Sequence, residues 1–232
     1  MSDIATKLTT IAENQQKVYA AGYAKGQAAG GDTEAAYQQG VVDGKQAGID
    51  AMIDRTLTSI ESNAEVVAGS AFYNYVTLNS ASFPQAKTIG SAAFYGCTSL
   101  TSVYFPEATN VGGSAFRKCT ELEKISLPKA TYMAGALCYD STALKTIEFG
   151  AKINIASQAF YNCTSLMAVI LKSEAPCTLG DTNAFTNTPI ANGKGFIYVP
   201  YDLLDSYKSA TNWSNFANQI CAIDAYSEIT GG

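Results

Sequence analysis

Apolar positions recur along this chain with a fixed step. Phe72, Phe94, Phe116, Cys138 and Phe160 lie 22 residues apart, and Phe185 follows after 25. The unit reads Ala-Phe-x-x-Cys-Thr-x-Leu-x-x-Val/Ile-x-Phe/Leu-Pro, and its other columns keep the same register. One column is Leu78, Leu100, Leu122, Leu144 and Leu166. A second is Ala81, Val103, Ile125, Ile147 and Val169, and a third is Phe83, Phe105, Leu127, Phe149 and Leu171. A last column holds Val67, Ile89, Val111, Met133 and Ile155. Alternation near the end of Leu-x-x-Val-x-Phe predicts a short strand. Pro84, Pro106 and Pro128 close it, because proline cannot donate to a ladder. The Ala-Phe-x-x-Cys-Thr segment is expected opposite the strand as a tight turn. Side by side, the strands would form a parallel sheet lining one face. A unit this short cannot bury its own apolar columns, whereas a stack of units buries all of them, so the pattern predicts an α+β solenoid over residues 56–190.

Two flanking regions differ from the array. Residues 1–55 are rich in Ala, Gln and Gly. There Ile4, Leu8, Ile11, Gln15, Val18 and Gly22 follow the alternating steps of a coiled-coil seam. Tyr19-x-x-Gly22-x-x-x-Gly26-x-x-x-Gly30 recurs as Tyr37-x-x-Gly40-x-x-x-Gly44-x-x-x-Gly48. A glycine inside a helix costs about 1 kcal/mol relative to alanine, so regular glycines suggest a groove for close helix approach. Alternatively, Gly30-Gly31 breaks two helices and Asp32 caps the second. The segment is therefore expected to be a helical oligomerisation and attachment stalk, with a trimer as the expected homo-oligomer. At the other end, residues 191–232 are expected to close the solenoid as a strand-helix cap that buries Tyr207, Trp213 and Phe216.

Composition narrows the function. The 232 residues contain no histidine, 47% apolar residues and 15% charged residues, with a net charge of −5. Triads and dyads that depend on histidine are thereby excluded. The acidic balance argues against a nucleic-acid partner. No phosphate-loop motif occurs, and the six cysteines form no CxxC pair, so no metal or other cofactor and no catalytic residue is expected. Cys97, Cys119 and Cys163 share one column, with Ser141 in the fourth copy, and are read as small buried residues whose thiols reach a neighbouring carbonyl. Lys25, Gln27, Asp43 and Lys45 argue against membrane insertion of the stalk. The first residues lack a basic region followed by an apolar one, so no signal peptide is expected.

The Ala-Phe-x-x-Cys-x-x-Leu unit resembles the BspA-type leucine-rich repeat family, and the segment from Phe196 to Phe216 is similar to the closing unit of such arrays. The fourth copy departs from the family pattern, with Leu137-Cys138 for Ala-Phe and Phe149-Gly150 for Phe-Pro, which predicts a local change in curvature. The opening residues resemble segments that precede such repeats in phage appendage proteins. These resemblances imply a non-enzymatic protein. The main expectation is a virion appendage (tail, baseplate or head fibre) that attaches to other virion proteins through its helices and binds a host-surface protein or glycan. The alternatives are a BspA-like adhesin at the bacterial cell surface and a structural decoration. The candidate binding stripe is the outward strand face: Ser102, Tyr104, Lys124, Ser126, Thr146 and Glu148, continuing to Ala168 and Ile170. The oligomerisation set is Ile4, Leu8, Ile11, Gln15, Val18, Gly22, Gly26, Gly40 and Gly44. Tyr73, Tyr95 and Tyr161 are read either as a second stripe or as covers for the turns.

Overall fold

The computed structural model describes residues 58–225. The stalk and its oligomerisation residues lie outside them. Each coil has three sides. The first side carries strands β1 (Ser59–Glu61), β3 (Ser80–Ser82), β5 (Ser102–Tyr104), β7 (Lys124–Leu127), β9 (Thr146–Phe149) and β11 (Ala168–Leu171). The second side carries two-residue strands: β2 (Val66–Val67), β4 (Thr88–Ile89), β6 (Asn110–Val111), β8 (Tyr132–Met133), β10 (Asn154–Ile155) and β12 (Thr178–Leu179). The third side is the Ala-Phe-x-x-Cys turn. All pairings are parallel and in the register of the repeat, for example Val103 on Ala81 and Ile147 on Ile125.

The sequence predicts one strand per coil, and the structure has two. The second strand is built on the Ile89, Val111, Met133 and Ile155 column, too short to alternate visibly. Each side is also divided into separate ladders. On the first side, β1-β3-β5 forms one, and β7-β9-β11 continues into β13 (Phe196–Val199) and β14 (Ile220–Ala222). On the second, β2-β4-β6-β8 is separate from β10-β12. This second division falls at the irregular fourth copy. There a side chain on Gly150 would place its Cβ 2.3 Å from the Pro128 carbonyl oxygen, so the proline of the other copies does not fit.

Direction of hydrogen bonding distinguishes the sides. Strand-side amides donate to the preceding coil, as in Thr101 N to Asn79 O (2.8 Å) and Gly112 N to Ile89 O (2.7 Å). Turn-side amides donate to the following coil, as in Phe94 N to Ala115 O (2.8 Å) and Gly96 N to Arg117 O (2.8 Å). The turn requires two left-handed residues per coil. Ser70, Ala92, Ser114, Ala136 and Gln158 have φ of 53–57°, and Asn74, Lys118, Asp140 and Asn162 have φ of 55–61°. Gly96 occupies the same place as this second group with φ 70°.

The core is the set of stacked columns. Leu78, Leu100, Leu122, Leu144 and Leu166 are fully buried. Rings follow one another from coil to coil: Phe72 on Phe94 at 5.1 Å, Phe94 on Phe116 at 5.5 Å and Phe83 on Phe105 at 5.5 Å between centroids. Each such side chain contributes about 1.5–3 kcal/mol on burial, and much of that burial is against its copy in the next coil.

The closing unit matches its predicted residues. Helix α1 (Leu204–Ser209) buries Tyr207, and the following 3-10 segment Trp213–Gln219 buries Trp213 and Phe216. Phe216 and Trp213 pack on Phe185, the last ring of its column, at 5.1 and 6.3 Å.

Candidate functional site

The first-side stripe is only partly as the sequence predicts. Ser102, Tyr104 and Lys124 are exposed, with Tyr104 at 57%. Ser126, Thr146 and Glu148 are half-buried. The stripe crosses the division between the ladder ending at β5 and the one beginning at β7, so Tyr104 and Ser126 belong to different ladders. Glu148 is paired with Lys172 at 2.9 Å, so its carboxylate is not available as a free charge of the stripe. Ala168 and Ile170 are not outward-facing in solvent. Both are buried with Tyr198, and Phe196, Cys221 and Ile223 pack against them. The closing strands carry that apolar cluster across the sheet face, which ends the polar stripe at β9. The polar stripe is therefore confined to β3 through β9, with Tyr104 as its exposed ring.

The turn side carries a second row. Tyr73 and Tyr95 stack at 4.7 Å with 7° between ring planes, and Tyr139 and Tyr161 stack at 4.6 Å with 13°. Arg117 fills the coil between the two pairs, its guanidinium carbon 4.1 Å from the Tyr139 ring centre and 5.7 Å from that of Tyr95. The row is thus Tyr73, Tyr95, Arg117, Tyr139 and Tyr161, one residue per coil. Sequence reading placed three of these tyrosines. It did not use Tyr139, whose copy lacks the preceding phenylalanine, or Arg117, whose residue type differs while its register does not.

Other conspicuous groups serve the stack. Cys97, Cys119 and Cys163 donate their thiols to the carbonyls of Phe72, Phe94 and Cys138 in the preceding coil at 3.0–3.1 Å. Ser141 does the same to Phe116 at 2.7 Å. Burial pushes the Cys97 and Cys163 thiols up to about 12, and Cys119 and Cys138 upward as well, so they stay protonated and unreactive. Ion pairs link adjacent coils at the surface, including Lys129 with Glu107 (2.7 Å) and Lys145 with Glu123 (2.6 Å). Exposed pairs of this kind contribute about 0–1 kcal/mol each. Among the described residues no group of three or more His, Cys, Asp or Glu is placed to hold a metal ion, and no helix is long and apolar enough to cross a membrane.

Comparison with known proteins agrees with this geometry. The model of the BspA type leucine rich repeat region matches residues 53–167 in six copies. A pneumococcal vaccine antigen, PcpA, has the same fold over 73% of this chain and 45% of its own, with 18% identity and a TM-score of 0.57. A leucine-rich repeat protein from Bacteroides ovatus is 28% identical over 52% of this chain, with a TM-score of 0.43. The Treponema pallidum leucine-rich repeat protein is 23% identical over 54% of this chain and 73% of its own, with a TM-score of 0.39. The chain spans about a third of the length of the Bacteroides protein, 34%. A comparison with curated proteins found no match. Residues 53–167 of this chain belong to the BspA-type leucine-rich repeat family.

Proposed function

We propose that this chain is a non-enzymatic binding module, displayed at a bacterial cell surface, whose first-side stripe recognises a protein or glycan of a host. One observation carries the reading: Tyr104 stands 57% exposed among Ser82, Ser102 and Lys124 on a rigid sheet. Tyr104 is held out in solvent while the rings of the Phe columns are buried, and exposed rings on a regular scaffold are a usual means of contact. The buried, protonated thiols fit a reducing or an oxidising compartment equally, so display at the surface needs no disulfide. The virion reading draws on the opening segment, residues 1–55, which lies outside the described residues, and nothing on the repeat array favours it over surface display.

Two measurements test the proposal. Trypsin treatment of intact producing cells should release peptides of residues 58–225; peptides found only in purified virions would overturn surface display. The labelled full chain, applied to arrays of extracellular-matrix proteins and glycans, should be retained on a defined subset. Retention on none, or equally on all, would overturn the binding role.

A further inference from the structure

The turn side carries an arrangement that the first-side stripe does not explain. Tyr73, Tyr95, Arg117, Tyr139 and Tyr161 form one continuous stack, and among the described residues none of the four phenol hydroxyls has a hydrogen-bond partner. Arg117 is the one cation in the row. Its Nε is enclosed and has no hydrogen-bond partner, and among the described residues no carboxylate pairs with its guanidinium. Lys118, exposed next to it, lies 5.8 Å from the Tyr95 ring and makes no ion pair among the described residues. In the adjoining column Asp140 accepts a hydrogen bond from the Asn162 side-chain amide at 2.8 Å and keeps its charge. A protein of net charge −5 thus holds two positive groups side by side, neither of them in an ion pair among the described residues, next to a row of phenol hydroxyls.

We infer that this row binds a linear anionic polysaccharide, with a ligand carboxylate on Arg117 and Lys118 and ligand hydroxyls on the flanking phenols. A guanidinium clamped between two rings keeps its charge and its fork orientation, which favours a carboxylate. Ring faces within the stack are covered by one another, so contact is made at ring edges and hydroxyls, by hydrogen bonding. The row repeats once per coil, at 4.6–4.7 Å for the stacked rings. An extended peptide advances about 3.3–3.4 Å per residue and falls out of step with that spacing, which disfavours an acidic peptide as the occupant.

Titration of the full chain onto immobilised polygalacturonate tests this site, with neutral dextran and poly-glutamate as comparators. The wild-type chain should bind polygalacturonate, with affinity falling as salt is raised, and should ignore dextran. Arg117→Leu should weaken binding about tenfold or more, a change of about 1.4 kcal/mol. Lys118→Glu, at an exposed position, should also weaken binding while leaving the melting temperature unchanged, which separates lost binding from lost folding. Tyr104→Ala, on the other side of the coil, should bind polygalacturonate like wild type. Absence of binding, equal binding to poly-glutamate, or wild-type binding by both Arg117→Leu and Lys118→Glu would overturn the inference. None of these outcomes bears on retention of ligands at Tyr104.

Discussion

The indole Nε1 of Trp213 donates to the carbonyl oxygen of Cys177 at 2.9 Å. At Lys87, Thr109 and Ile153 the corresponding carbonyl accepts an amide from the following coil. Asn212 does likewise two residues on: its side-chain amide reaches the carbonyl of Leu179 at 2.8 Å, a place taken by Gly112 N on Ile89 and by Gly180 N on Ile155. The amide of Cys177 itself donates to the Tyr207 hydroxyl at 2.8 Å. On the first side, backbone continues the ladder through β13 and β14. On the second side, three side chains close it.

That closure predicts a graded effect at Trp213. Trp213→Phe keeps a ring on Phe185 but leaves the buried Cys177 carbonyl without its donor, at about 1–3 kcal/mol. Trp213→Ala adds a cavity and should cost about 3–5 kcal/mol. For a domain of this size each kcal/mol lowers the melting temperature by about 2–4 °C. Circular-dichroism melts check the order; a Trp213→Phe melt equal to wild type would show that the hydrogen bond contributes nothing, and equal losses in the two variants that the ring's packing adds nothing to it.

The thiol column predicts an unusual tolerance. Ser141 occupies the place of Cys97, Cys119 and Cys163 and makes the same bond to the preceding coil. Cys119→Ser should therefore stay within about 1 kcal/mol of wild type, and Cys119→Ala should cost more, since it removes the donor and leaves space. Urea unfolding of both variants measures this. A serine variant less stable than the alanine variant would contradict the role given to the column.

Left-handed residues make a separate prediction. Ala136 has φ 57°, where a branched side chain meets its own backbone. Ala136→Val should cost about 1–2 kcal/mol, and Ala136→Gly should cost less than Ala136→Val, because glycine adopts this conformation freely. Thermal melts of the pair give the sign. Greater loss with glycine would mean that the turn is not held left-handed in solution.

Thiol titration gives a pH dependence with a definite sign. Cys97 and Cys163 are raised from 9.0 to about 12 in the folded chain. The folded state therefore holds protons that the unfolded chain releases above about 9. The stability linked to these thiols is complete below that pH and is lost as pH rises through 9 towards 12. Melting temperature should be flat between neutral pH and about 8 on this account and should fall above 9. In the native protein at neutral pH, iodoacetamide should modify Cys221, which is half-buried, ahead of the five buried cysteines. Rapid native labelling of Cys119 would contradict the packing described.

Much of this was legible in the chain. The 22-residue register located every core column, because stacked identical coils demand the same residue type at the same place. The Tyr207, Trp213 and Phe216 cap was legible for the same reason, since the last column must be covered. The second ladder was not, because two-residue strands such as Asn110–Val111 leave no periodic trace. The left-handed column was written as Asn74, Gly96, Asp140 and Asn162, residue types that tolerate positive φ, but Lys118 hid it. At the candidate site, exposure of Tyr104 and Lys124 followed from alternation. Burial of Ala168 and Ile170 did not, because the covering residues, Tyr198 and Ile223, come from a distant part of the chain. Pairing of Glu148 with Lys172 likewise depends on the corner after β11, which the repeat does not specify.

The claim that this chain works through a binding face is tested most directly by one titration. The wild-type chain and Tyr104→Ala/Lys124→Glu would be titrated against a ligand that the array retains, with melts of both proteins alongside. Both changes lie on exposed side chains, so the melts should coincide while affinity falls about tenfold or more, as expected for loss of a central ring and reversal of a charge. Coincident melts with unchanged affinity would contradict the account and remove the first-side stripe from the function of this protein.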